Sequence, residues 1–263
     1  MKKNEKLTPK NFLKRTYKKK VNEHEELPDE NHLKYLSIEN LYEKRENRKG
    51  YCDLKFLLNS TSSCEISDAI LSLTNNNGVL KGLKNINGLK AYGKIVTVET
   101  AANDWGTSVL AIDKAKKGEV LFIKACHENC SYNHKTIKRS SSAIWGELTS
   151  TAAKNKKISG TFVWGYVRDV DHLIHLNYPV FALGTCPNAG SSFGNGTINK
   201  SINLGHTHIN QGDFIFGDKS GVVLIPKGLF SIAMKRVVDI RINEKNIHNS
   251  LKKGETFSKI IYD

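Results

Sequence analysis

The chain has 263 residues, 39% of them apolar, enough for one full-sized layered domain plus a polar extension, and therefore for one principal site. It contains no run of about 18 apolar residues, and its lysine-rich start has no apolar leader stretch, which excludes a membrane span and predicts a soluble, cytoplasmic protein. The formal net charge of +14 raises the question of a polyanionic partner, but much of the excess sits in the first twenty residues, where nine lysines and arginines face only Glu5.

Residues 1–50 are polar and charged, with a short helix expected around 32–46 and no sustained apolar face; they read as a basic, partly disordered extension to an α/β domain over 51–263. From Tyr51 onward helical and strand patterns alternate. Helices are predicted over 65–73, 104–117, 147–157, 170–176 and 227–251. Strands are predicted over 95–98, 120–123, 161–167, 180–182, 214–216 and 222–225, with glycines at their edges. The five cysteines, Cys52, Cys64, Cys126, Cys130 and Cys186, are an odd number in a chain too large to need staples, so reduced thiols and no structural disulfide are expected. Cys64, Trp145 and Trp164 read as packing groups.

The order of strand 120–123, helix 147–157 and strand 161–167 predicts a right-handed βαβ unit with parallel strands. Ligands of such sheets collect beyond the carboxyl ends of the strands, where helix N-termini present unpaired N–H groups. Two segments reach that edge: Trp145-Gly146-Glu147-Leu148-Thr149 and Arg168-Asp169. Gly146 allows close approach of a ligand, the Leu148 and Thr149 amides suit a carboxylate, and Arg168 adds a charged donor fork. Asp169 and Glu147 are hard oxygen donors suited to Mg2+ or Mn2+ held partly through water. On the C-terminal helix, Phe230, Ala233, Val237, Ile240, Ile247 and Leu251 form an apolar seam in which Glu244 takes an otherwise apolar position, marking it as a third acid.

The blocks GVLKGLKNINGLKAYGKIVTVET, DWGTSVLAIDKAKKGEVLFI, WGELTSTAAKNKKISGTFVWGYVRDVD, YPVFALGTCPNAG and GDFIFGDKSGVVLIP resemble the RraA-like superfamily from about Leu57 to the C-terminus. That resemblance implies a swivelling β/β/α fold, assembled as trimers or hexamers with sites between subunits. It implies either a class II aldolase acting on 4-hydroxy-4-methyl-2-oxoglutarate or a related acid, with oxaloacetate decarboxylase activity, or a noncatalytic inhibitor of a ribonuclease. The aldolase members carry an acid, twenty intervening residues and then Arg-Asp, a pattern met here by Glu147 and Arg168-Asp169. By resemblance Asp169 is the direct metal ligand, Glu147 holds metal-bound water, and Glu244 is the similar acid from a neighbouring subunit. Arg168 binds a 2-oxo acid substrate and stabilises its oxyanion.

Retention of Glu147 favours the metal-dependent lyase with Mg2+ or Mn2+; the alternative is a regulator that engages a ribonuclease or nucleic acid through the basic arm. Two features depart from the aldolase pattern, and a histidine pair stands apart from it. The segment 124–143 is long, rich in Cys and His, and expected to border the site, although Cys126, His127, Cys130 and His134 match no standard zinc spacing. Asn103 precedes Asp104 in the reverse of the usual order. His206 and His208 are expected on one face of a strand as surface or interface residues.

Overall fold

The computed structural model describes residues 54–126 and 142–262, which divide into two compact units: Val79–Lys227, and the residues up to Gly78 together with those from Gly228 onward. The extension over 1–50, its expected helix, and Cys52, His127, Cys130 and His134 lie outside the described residues.

The larger unit is a mixed α/β structure. Its strands are β1 (Lys84–Asn85), β2 (Ala91–Ala101), β3 (Val120–Cys126), β4 (Ala143–Trp145), β5 (Gly160–Val167), β6 (Val180–Thr185), β7 (Thr197–Ile198), β8 (Ile202–Leu204), β9 (Thr207–Ile209), β10 (Phe214–Gly217) and β11 (Val222–Ile225). One sheet runs β1-β6-β5-β3-β2-β10-β11, with β4 added beside β5 and β7 beside β2, while β8 and β9 pair as a hairpin. Strands β2, β3, β5 and β6 are parallel, and β1, β10 and β11 run against their neighbours.

Each parallel step is made through a helix: α3 (Gly106–Lys114) between β2 and β3, α4 (Glu147–Asn155) between β4 and β5, and α5 (Val170–Leu176) between β5 and β6. Because successive strands are added in one direction, right-handed crossovers bring all three helices to one face. The alternation of β3 and β5 accordingly serves two cores. Leu121, Ile123, Val163 and Val167 join Ala111, Ile112, Ala153 and Leu173 of the helices. Phe122, Phe162 and Trp164 face the other way, with Ile202, Leu204, Ile215, Val222 and Leu224. Both faces of the parallel strands are covered, which is why they read as near-continuous apolar runs rather than alternating ones. Each such side chain contributes about 1.5–3 kcal/mol on burial.

The smaller unit contains α1 (Leu54–Ser60), α2 (Ser63–Leu73), α6 (Phe230–Lys252) and α7 (Phe257–Tyr262). Helix α2 starts in a capping box: Ser62 Oγ accepts from the Glu65 amide, and Glu65 Oε2 accepts from the Ser62 amide at 2.6 Å. Arg241 of α6 closes onto the same corner, with Nε 2.5 Å from Glu65 Oε1 and its terminal nitrogens donating to Ser60 and Thr61 hydroxyls at 2.9 Å.

Several expectations need correction. Lys124 to Cys126, placed beyond the strand predicted over 120–123, continue β3 alongside Glu99–Ala101. His206 lies in the turn between β8 and β9, so it does not share a strand face with the exposed His208. Cys64 is exposed, not packed, whereas Trp145 and Trp164 are buried. The seam of α6 is buried only from Phe230 to Ile240; Leu251 is 38% exposed.

Candidate active site

The site is built where β4 and β5 end side by side. Parallel pairing of Ala143 with Tyr166 and Trp145 with Val167 brings the next residues, Gly146 and Arg168, level with each other, and the Arg168 amide donates to the Trp145 carbonyl at 3.0 Å. The Trp145 indole is locked below them by donating to Ser150 Oγ at 2.7 Å.

Gly146 caps α4 in extended backbone, and Thr149 Oγ1 accepts from its amide at 3.0 Å. The first turn leaves the Leu148 and Thr149 amides without intrahelical acceptors. Leu148 itself is exposed and Thr149 half-buried. A Cβ on Gly146 would fall 2.6 Å from Asp169 Oδ2 and 3.0 Å from Arg168 Cγ, so the space expected for a ligand is taken by the Asp169 carboxylate.

Asp169 caps α5 from the left-handed region, at φ 59°, ψ 40°, where non-glycine residues are uncommon outside functional turns. That turn faces its carboxylate toward α4: Oδ2 accepts from the Glu147 amide at 3.2 Å and from Arg168 Nε at 3.3 Å. Among the described residues no hydrogen bond falls on Oδ1, so one carboxylate oxygen is held and the other is presented. The Arg168 side chain is 41% exposed, with its terminal nitrogens not engaged by Asp169. Glu147, half-buried, has Oε2 3.5 Å from His172 Nδ1 on the first turns of α5. His172 went unrecognised in the sequence; its signal is its place three residues after Asp169, on the same side of a short helix.

Gly146, Glu147, Leu148, Thr149, Arg168 and Asp169 are thus gathered at one sheet edge. Glu244 belongs to the smaller unit and is exposed on α6. Partial burial pushes its carboxyl up, the nearby Glu65 and Asp68 charges push further, and Arg241 opposes them. No group of three or more His, Cys, Asp or Glu suited to a metal occurs among the described residues. The donor set within one chain is a presented Asp169 oxygen and the carboxylate of Glu147, the residue whose amide holds the other Asp169 oxygen, which fits a hard divalent cation that keeps several waters and not a fully protein-caged ion.

Asp104, singled out by its neighbour order, is an organising group. It is buried and accepts from the Gly106 and Gly194 amides at 2.8 and 3.0 Å, from Asn195 at 3.2 Å, and from the Thr100 and Thr107 hydroxyls. Burial pushes its carboxyl up, but the Gly194 amide, the Thr107 hydroxyl and its other donors outweigh that and hold it below the usual range. It therefore ties the segment after β6 to the start of α3, on the same carboxyl-end edge as Arg168.

A family profile described as RraA-like, Aldolase/RraA, matches residues 63–224. The chain belongs to the RraA-like family. Among its relatives, an uncharacterised Methanocaldococcus jannaschii protein is 31% identical over 188 residues, covering 68% of this chain and 86% of its own. A Halalkalibacterium halodurans protein named as a candidate 4-hydroxy-4-methyl-2-oxoglutarate aldolase is 33% identical over 190 residues, covering 71% of this chain and 84% of its own. Of solved structures, an uncharacterised protein of Pseudomonas syringae pv. tomato aligns with a TM-score of 0.63 at 23% identity, over 78% of this chain and 96% of that one. Streptomyces coelicolor RraAS2, described as an unusual member of the RNase ES inhibitor RraA protein family, aligns with a TM-score of 0.58 at 20% identity, over 78% and 98%. These structures establish a shared RraA-like fold, and the family's names span both aldolases and ribonuclease inhibitors. No helix among the described residues is long and apolar enough to cross a membrane.

Proposed function

We propose that the protein is a divalent-metal-dependent lyase that cleaves a carbon–carbon bond of a pyruvyl substrate, as a 4-hydroxy-2-oxo acid aldolase, an oxaloacetate decarboxylase, or both. The observation that carries this reading is the Asp169 carboxylate, fixed through Oδ2 by the Glu147 amide and Arg168 Nε while Oδ1 stays presented at the carboxyl edge of the sheet. Aldolase names among relatives of about this similarity support it.

Asp169 would hold Mg2+ or Mn2+ directly, and Glu147 would hold its water; when bound, the ion supplies Lewis acidity toward the carboxylate and keto oxygens of the pyruvyl unit. Arg168, with Nε committed to Asp169, directs its terminal N–H groups to the substrate and offsets the negative charge that develops on the keto oxygen. The Leu148 and Thr149 amides receive the substrate carboxylate at the helix N-terminus. In aldol cleavage the 4-hydroxyl gives up its proton to the water held by Glu147, the C3–C4 bonding pair becomes the pyruvate enolate, and the C4 fragment leaves as a carbonyl product. In oxaloacetate, loss of CO2 delivers the same enolate. Glu147 orients the water that returns a proton to C3, with His172 fixing the carboxylate.

We place the domain over residues 51–263 and propose an oligomer in which Glu244 serves a neighbouring subunit's site. The proposal is tested by supplying 4-hydroxy-4-methyl-2-oxoglutarate with Mg2+ and following pyruvate by its reduction with lactate dehydrogenase. Stoichiometric pyruvate supports the aldolase; no pyruvate from this or any 4-hydroxy-2-oxo acid offered removes it.

A further inference from the structure

The edge of the parallel sheet opposite the candidate active site carries a second feature. There the turns that follow α3 and α4 are stitched together: the Gly118 amide donates to the Lys157 carbonyl at 2.9 Å, and the Ser159 amide to the Glu119 carbonyl at 2.8 Å. The Lys156 ammonium crosses from one turn to the Asp113 carbonyl of the other. This joined surface exposes Lys114, Lys116, Lys117, Lys154, Lys156 and Lys157. The carboxylates within it are Asp113 and Glu119, and Glu119 is turned into its own loop by the Lys116 amide at 2.7 Å.

Lys114 and Lys154 sit in the last turns of their helices, where a cation is favoured by the helix dipole whatever the protein does. That account does not extend to Lys116, Lys117 and Lys157, which lie beyond the helix ends. Lys157 also occupies φ 62°, a backbone region that favours glycine or asparagine. Exposed lysines on backbone-joined turns, with Lys154 and Lys156 also donating to the Leu176 and Asp113 carbonyls and no aromatic side chain among them, suit a repeating phosphate chain bound through its backbone without base stacking or base reading. We infer that this lysine-bearing edge docks RNA, remote from the lyase site and independent of its chemistry. A chain charge of +14 acts in the same direction, drawing a polyanion to the protein over a longer range.

The test uses the full chain and a fluorescein-labelled oligouridylate of about 20 nucleotides, followed by anisotropy. Contact with about four phosphates predicts that affinity falls about 50-fold between 50 and 200 mM salt, from a slope of about −0.7 per phosphate. The variant Lys116→Gln/Lys117→Gln/Lys157→Asn should weaken binding at least tenfold at low salt and reduce the slope by about 2. Lys114→Gln/Lys116→Gln/Lys117→Gln repeats the test without touching the left-handed residue. The comparison is Lys18→Gln/Lys19→Gln/Lys20→Gln in the basic N-terminal arm. Binding by both patch variants within twofold of the parent, or a loss confined to the arm variant, overturns the inference. Tighter binding of labelled polyglutamate than of the oligonucleotide also overturns it, in favour of an acidic protein partner.

Discussion

Replacing Gly146 by alanine should separate activity from stability. The backbone there is extended, at φ −168° and ψ −156°, a conformation alanine adopts freely, so no backbone strain is expected. The new methyl, however, would lie 2.6 Å from Asp169 Oδ2, which must retreat by about 0.8 Å to reach an ordinary contact of 3.4 Å. That retreat stretches the 3.2 Å bond from the Glu147 amide beyond hydrogen-bonding range and turns the presented oxygen away. Because the carboxylate is 30% exposed and can be pushed toward solvent, the fold should lose about 1 kcal/mol, at the low end of the 1–3 typical of overpacked cores. A misplacement of this size in a catalytic constellation costs on the order of 100-fold in rate. The assay is pyruvate formation from oxaloacetate with Mn2+, beside a thermal melt. Gly160→Ala is the converse control: its methyl would meet Ala91 Cβ at 2.6 Å inside the core and should lower the melting temperature. Full activity in Gly146→Ala with unchanged Mn2+ affinity would refute the argument that Asp169 is positioned by the space above Gly146.

Arg168→Lys keeps the charge but removes the fork, and should lower kcat/KM by about 100-fold while leaving the melting temperature within a degree or two. Asp104→Asn places amide hydrogens against the Gly194 and Gly106 amides and should cost about 2–3 kcal/mol, read by urea unfolding. Because the folded Asp104 carboxyl titrates below its ordinary 3.8, its stabilisation is present above that pH and is lost as pH falls through the lower folded value. The parent should therefore lose stability more steeply than Asp104→Asn in that acid window. Glu244→Gln should reduce lyase turnover about tenfold or more without destabilising the fold, since the side chain is exposed; unchanged turnover would remove Glu244 from the site.

The parallel strands were legible in the sequence because burial on both faces writes itself as unbroken apolar runs, as in Phe122–Ile123 and Phe162–Val163. Helix 170–176 was legible from its bounds, and Arg168-Asp169 from their place at a strand end. The short strand β4 was not, since three residues carry no periodicity and its place beside β5 depends on pairing across about 20 residues. Nor was the work of Asp104, whose amide donors at 194 and 195 lie 90 and 91 positions away. The surroundings of Glu244 were not legible, for a local reason. A seam of constant spacing is buried only where something covers it, and on α6 that cover ends near Ile240. Gly146 was recognised as a site of close approach, but what approaches is the Asp169 carboxylate, whose left-handed backbone no residue pattern announces.

The central claim, that Asp169 organises a metal-dependent lyase site, is tested most directly by pyruvate release from oxaloacetate by the purified protein, with and without Mg2+ or Mn2+, beside Asp169→Ala. The account predicts turnover above the metal-only rate that requires the cation and disappears in the variant. Turnover equal to the metal-only rate, or undiminished in Asp169→Ala, would contradict it.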